Sequence, residues 1–402
     1  MATRRSVLTT GAAGATLTLL APFARRAAAE SNPDSRFVLV ILRGGLDGLA
    51  AVPPYAEPAY AQLRGSLALG KPGTENGVLD LDGTFGLHPT LTNLHAMYRA
   101  REALVLHAAA TPYRERSHFD AQNVLEAGGA APTGSGDGWL NRALAALDSA
   151  GDSRGAVALA DSVPLVLRGE LAVTSWAPSQ LPETDEDTLA RVRRLYEAAD
   201  PVLAASLNGA LEAREIAGDA SDTRMGGGRG GQAIAPLASA AARFLASPDG
   251  PRIAVLDAGG WDTHANQGAA QGPLALRLRG LDAGLQMLKT ELGVHWSETT
   301  VLVVTEFGRT VAVNGTRGTD HGTAGCAFLA GGAVAGGRVV ADWPGLAARD
   351  LHEGRDLRAT TDLRSLFKAV LHERFGVSEA ALARTVFPAS DSVEPLEGVT
   401  AA

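Results

Sequence analysis

Apolar residues along this chain fall into short continuous runs separated by longer stretches with helical spacing. The runs at 36–42 (RFVLVIL), 103–109, 252–256, 300–305 and 325–330 are too short for buried helices. Each predicts a strand covered on both faces. Residues 273–292 read as a long amphipathic helix and 234–245 as a second. Leu363, Leu366, Phe367, Val370 and Leu371 recur at helical spacing behind a Thr361-Asp362 cap and ahead of a Gly376 stop. Further helices are expected at about 90–100, capped by Thr90, at 119–126, and around Trp139, Leu140 and Leu144. Residues 155–167 give one or two strands. Residues 182–217 read as a helical pair broken near Asp200-Pro201, and 221–231 as a glycine-rich loop. Strands alternating with helices from end to end predict an α/β fold, a mostly parallel sheet with helices on both faces.

In an open sheet of this kind ligands bind beyond the carboxyl ends of the strands. The polar residues that follow each run are therefore the candidates for chemistry. The first run leads into RGGLDGL, where Asp47 between glycines is either a turn former or a group projected past the strand end. The second leads into TPYRERSHFD. There Ser117 is either the N-cap of the next helix, its hydroxyl bonding a backbone N–H, or a nucleophile beside His118, Arg114 and Arg116 at a positive helix end. The third carries Asp257, Asp262 and His264, two carboxylates and an imidazole within eight residues, ligand types that suit zinc or a hard divalent ion. The fourth ends on Glu306 and Arg309, and the loop after it delivers Asp320 and His321 to the fifth. Cys326 is the only cysteine and sits in an apolar run, so a cysteine-based metal site is excluded and a buried thiol expected. The loop at 221–231 has no preceding strand and no Gly-Lys-Ser/Thr ending, which argues against a phosphate loop. Convergence of these strand ends would gather acids and imidazoles around one or two divalent ions, zinc or calcium/magnesium. Asp47, Asp257, Asp262, His264, Glu306, Asp320 and His321 are the candidate ligands, and Ser117, His118 and Arg309 the candidate catalytic groups.

Composition narrows the partners. An apolar content of 46% with 20% charged residues is that of a globular protein with a sizeable core. Residues 1–29 carry Arg4, Arg5, Arg25 and Arg26, no acid, a weakly apolar stretch and a closing Ala27-Ala28-Ala29. That segment reads as an export signal of the twin-arginine type, with the export machinery as its partner. The rest, 30–402, is expected to form a single domain, with about 182–231 as a peripheral insertion. It would be periplasmic or secreted and without a stable membrane span. Without residues 1–29 the formal charge falls from -8 to -12, which argues against a nucleic-acid partner.

Taken in order, the Arg-Arg signal, RGGLDGL, RERSHFDAQNVLE, LDAGGWDTHANQ, VVTEFGRT and GTDHGTAG resemble the exported domain-of-unknown-function family fifteen-oh-one. That family is grouped with the alkaline-phosphatase-like and sulfatase superfamily. The resemblance implies an α/β sandwich with a bimetal site at the strand ends. It places Asp47 at the first metal-binding Asp and Ser117 near the nucleophile. Asp257 or Asp262, with His264, stands at an Asp-and-His pair, Glu306 at a strand-end Asp, and His321 at the last His ligand. Where the superfamily has a strand-end Asp-His pair this chain has Glu306-Phe307, so one imidazole is replaced. The implied function is an exported metal-dependent hydrolase of phosphate or sulfate esters acting on a small anionic ester. The alternative is a non-catalytic periplasmic binding or assembly protein that reuses the fold for a surface polymer or a partner.

Overall fold

The computed structural model describes residues 32–132, 136–148, 155–178, 184–218 and 234–401. The export signal expected at 1–29 and the glycine-rich loop at 221–231 lie outside the described residues. Nine strands form one sheet: β1 Arg36–Leu42, β2 Ala103–Ala110, β3 Ala156–Leu159, β4 Thr174–Trp176, β5 Ile253–Ala258, β6 Thr299–Val304, β7 Gly325–Ala330, β8 Arg338–Val340 and β9 Thr361–Asp362. Their spatial order is β8-β2-β7-β6-β1-β5-β3-β4, with β9 also paired to β2. β1 lies at the centre, parallel to β5 from Phe37 opposite Ile253 and to β6 from Arg36 opposite Thr299. Only β7 is reversed, antiparallel to both β6 and β2.

The continuous apolar runs serve two cores at once. In β1, Val38, Val40 and Leu42 face one core, and Phe37, Leu39 and Ile41 the other. The same alternation divides Val301 and Val303 from Leu302 and Val304 in β6. A strand buried on both faces has no polar side to show, which is why these stretches read as unbroken apolar runs. Helices α1 Thr92–Arg99, α6 Ile234–Ala246 and α7 Pro273–Leu292 cover the first face. Helices α3 Trp139–Asp148 and α8 Leu363–Phe375 cover the second. Between them, α2 His118–Ala127 follows β2, and the expected pair is α4 Glu186–Ala199 and α5 Pro201–Ala217, joined at the Asp200 cap. The α/β class, the mostly parallel sheet and the helices on both faces are as the apolar pattern predicts.

Two local expectations change. The cap of α1 is Leu91, not Thr90. Thr90 instead contacts His88, and the free N–H groups of Asn93 and Leu94 donate to Asp282 of α7 at 3.1 and 2.9 Å. A carboxylate supplied from a neighbouring helix does the work of the local cap. Ser117 does hold the N-cap position of α2, but its side chain makes no cap bond.

The reversal of β7 positions the functional rim. Because β6 runs up and β7 down, the loop between them leaves and re-enters the sheet at one edge, the edge where β1, β2 and β5 also end. The loop zips onto itself through Gly308 N to Thr323 O and Thr310 N to Asp320 O, both 2.9 Å. Arg309 and His321 face each other as an isolated antiparallel bridge. Among the described residues no helix is long and apolar enough to cross a membrane.

Candidate metal centre

Four loops, from the ends of β1, β2, β5 and β6, meet at this rim. Their close approach demands glycine: a Cβ on Gly44 would lie 2.5 Å from the backbone N of Asp262, and one on Gly318 would lie 2.3 Å from the His264 carbonyl carbon. The Asp262 carboxylate is the hub. His264 Nε2 is 3.0 Å from its Oδ1, His321 Nε2 is 3.4 Å from the same oxygen, and His118 Nε2 is 3.4 Å from Oδ2. His264 Nε2 and His321 Nε2 are 2.9 Å apart. His118, Asp262 and His321 each present a ligand atom, all within 4.8 Å of one another, and could hold a metal ion.

The opposite ring nitrogens decide what the Nε2 atoms are. His118 Nδ1 is 2.8 Å from Glu306 Oε1, His321 Nδ1 is 2.9 Å from the carbonyl oxygen of Arg116, and His264 Nδ1 is 3.2 Å from Asp320 Oδ1. A carbonyl or carboxylate oxygen only accepts, so with the proton on Nδ1 each ring turns its Nε2 lone pair towards the cluster. Packed at these distances, the three Nε2 atoms and the carboxylate repel one another unless a proton or a metal ion lies among them. Atoms 2.0–2.1 Å from one tetrahedral ion stand roughly 3.3 Å apart, close to the spacings seen here. Backing a ligating imidazole with an oxygen acceptor at its far nitrogen is also how metal sites fix ring orientation.

Electrostatics set the charge of the cluster. Burial pushes the Asp262 carboxyl up, but the charge and hydrogen bond of Arg309, with His264 and His118, outweigh it and hold the group below its ordinary range. Arg309 Nη2 donates to Asp262 Oδ1 at 2.7 Å. Its side chain is fully buried, and its Nε and Nη1 have no hydrogen-bond partner. Burial also pushes His321 down, towards the neutral form a ligand needs. Beneath the cluster, burial raises Glu306, but donation by His118, by Gln122 Nε2 at 3.0 Å and by the Gly44 N–H at 2.8 Å wins and keeps it ionised. The hydrogen bond to Glu306 in turn lifts His118 above its ordinary value. Asp320 is lowered first by the Asn314 amide, which donates to it at 3.0 Å. The rings of His118 and His321 pack on Phe307, with centroids at 4.8 and 5.0 Å.

Of the residues expected to hold metal, the structure brings Asp262, His264 and His321 together and adds His118, which the sequence had placed among the catalytic groups. Glu306 and Asp320 stand behind imidazoles and orient them. Asp47 is elsewhere: it is fully buried, paired with Arg64, caps the short helix Gly48–Ala51, and accepts from Gln267 Nε2 at 2.7 Å. Asp257 is also outside the cluster, bound to Arg43 at 2.6 Å, with its carboxyl raised by burial. Ser117 precedes His118 and lies against the Tyr113 hydroxyl. Arg114 donates to the carbonyls of Thr111 and Tyr113 rather than to the cluster.

Sequence reasoning missed two glutamines. Gln122 is four residues after His118 on α2, and that spacing puts both on one helix face against Glu306. Gln267 bridges the ligand loops: its Oε1 accepts from Thr263 at 2.7 Å and from Thr319 at 2.9 Å, next to Asp262, His264 and Asp320. No local pattern signals it, because two of its partners, Asp47 and Thr319, are distant along the chain.

A family model described as "Protein of unknown function (DUF1501)" matches residues 34–386. The chain belongs to the DUF1501 family. No curated protein matches it. Among solved structures, the phosphonate monoester hydrolase of Agrobacterium radiobacter is similar at 12% identity, over 85% of this DUF1501 chain and 74% of that one, with a TM-score of 0.34.

Proposed function

We propose that the cluster is a single-metal centre and that the protein is an exported metal-dependent hydrolase of phosphate or sulfate esters. The observation that carries this reading is the set of three imidazoles whose Nδ1 atoms are each spent on an oxygen acceptor, so that their Nε2 atoms converge on Asp262. Imidazole-rich donors suit zinc or a similar transition metal better than calcium or magnesium, which take oxygen ligands. His118, Asp262, His264 and His321 would hold the ion, which when bound polarises an ester oxygen and lowers the pKa of a coordinated water.

The chain's own groups would do the rest. Arg309, buried with two donor nitrogens unpartnered, supplies N–H groups for the remaining anionic oxygens. Ser117, free of the cap bond and adjacent to His118, is the candidate nucleophile. Its Oγ would attack phosphorus or sulfur, its proton leaving with the departing alcohol, and water would then release phosphate or sulfate from the serine. Glu306 and Asp320 hold the imidazoles in place.

A second reading, a non-catalytic binding or assembly protein, is favoured by Phe307. Its ring lies against His118 and His321, where the resemblance expects a further imidazole. Metal analysis of the purified protein, with a panel of aryl phosphates and aryl sulfates, separates the two. Bound transition metal with metal-dependent turnover supports the hydrolase. Bound metal without turnover supports the second reading, and protein that takes up no metal removes the metal centre altogether.

A further inference from the structure

On the same rim lies a cavity of about 720 Å³, a volume typical of small-molecule sites, that the chemistry above leaves unused. Its walls include Asp257, Arg43, Gln122, Glu126 and Arg168, with Phe119 beside them. Gln122 joins it to the metal cluster, since its Nε2 donates to the Glu306 oxygen that holds His118 while its Oε1 accepts from Arg43 at 3.1 Å. Arg43 also pairs with Asp257 at 2.6 Å and Glu126 at 2.7 Å. The lining holds three carboxylates, counting Asp161, and two guanidiniums. A second anionic group would find no excess of cations there, and a lipid chain would leave the Arg43, Asp257 and Glu126 ion pairs facing hydrocarbon. The Phe119 ring is 88% exposed, so packing within the chain does not account for it.

We propose that this cavity receives the organic body of the ester, a neutral polyhydroxylated group such as a sugar ring. Only its link to an anionic end rests on the hydrolase reading. Hydroxyls both donate and accept, which matches a wall that carries both kinds of group, the oxygens of Asp257, Glu126 and Asp161 and the N–H groups of Arg43 and Arg168. The apolar C–H face of a sugar ring lies against Phe119, while the anionic end reaches past Gln122 to the metal cluster.

Calorimetric titration of zinc-loaded protein with inorganic phosphate, glucose 6-phosphate and neutral disaccharides (maltose, cellobiose, chitobiose) tests this. Glucose 6-phosphate is expected to bind at least about tenfold more tightly than phosphate, the size of one aromatic contact. Phe119→Ala should remove that gain and leave phosphate binding unchanged, and Phe119→Trp should retain it. A sugar phosphate no tighter than phosphate, or one indifferent to Phe119→Ala, overturns the proposal. If neither anion binds, the ester reading falls and the disaccharides decide the cavity: binding lost in Phe119→Ala upholds it, and no binding by any of them overturns it.

Discussion

Asp47 and Asp262 both follow a strand of the same sheet, at the same rim, between glycines or aromatic neighbours that turn the chain. Asp47 is sealed from solvent and fully partnered by Arg64, Gln267 and the Ala50 N–H. Arg64, equally sealed, also reaches the carbonyls of Thr310 and Val311. Asp262 is 40% exposed, with one guanidinium donor and the Nε2 atoms of His118, His264 and His321 within 3.4 Å of its oxygens. One carboxylate is closed off within the fold, and the other is open to whatever arrives from outside. The two regions are mechanically joined, because Gln267 donates to Asp47 and accepts from Thr263 and Thr319 in the ligand loops. The difference teaches that a ligand is recognised by what its neighbours leave unsatisfied, rather than by residue type.

The widest separation between the two regions should come from removing ligands. Asp262→Asn or His321→Ala is expected to abolish bound metal, measured by elemental analysis, with little change in the melting of metal-free protein. Loss of folding instead would assign Asp262 to the scaffold. Asp47→Ala leaves a buried guanidinium unpaired and should cost about 3–5 kcal/mol in denaturant unfolding. The fraction that still folds should keep its metal. A stable Asp47→Ala protein without metal would reverse the assignment.

Gln267→Met keeps the volume but cuts the bridge, so metal affinity by chelator competition should fall about 10–100-fold, as for outer-sphere partners elsewhere. An unchanged affinity would show that the backbone pairing of the loops suffices. The smallest effect concerns protons. His118 is raised above 6.5 by Glu306, and metal needs its Nε2 free, so metal affinity should fall as pH drops through that raised value. Glu306→Gln should move the midpoint to lower pH. In the metal-free protein the sign runs the other way. Glu306 is lowered from 4.5 and His118 raised from 6.5, so their pair stabilises fully between pH 4.5 and 6.5. The benefit is lost above that window as His118 deprotonates and below it as Glu306 protonates. A pH-independent melting difference between wild type and Glu306→Gln would contradict this.

Much of the scaffold was legible because burial leaves a periodic trace. β1 and β7 lie where their apolar runs stand, and α7 spans Pro273–Leu292 as its spacing predicts. The direction of β7 left no trace, since an apolar run reads the same whichever way a strand points. At the site, the residue types and their strand-end positions were legible, and Asp262, His264 and His321 do lie together. The partners of Asp47, His118 and Glu306 were not. Arg64, which neutralises Asp47, ends the short helix Tyr60–Arg64 with no motif to mark it, and Glu306 meets His118 from 188 residues away.

By itself, then, the sequence determined an α/β sheet buried on both faces, an acidic body and a rim crowded with carboxylates and imidazoles, because hydrophobic period and residue chemistry are local properties. Which carboxylate would be sealed by a guanidinium, and which nitrogen of each imidazole would be left bare, depended on contacts between loops far apart in the chain. Only the tertiary structure, by setting those distances and shutting water out of one cluster while admitting it to the other, could decide that.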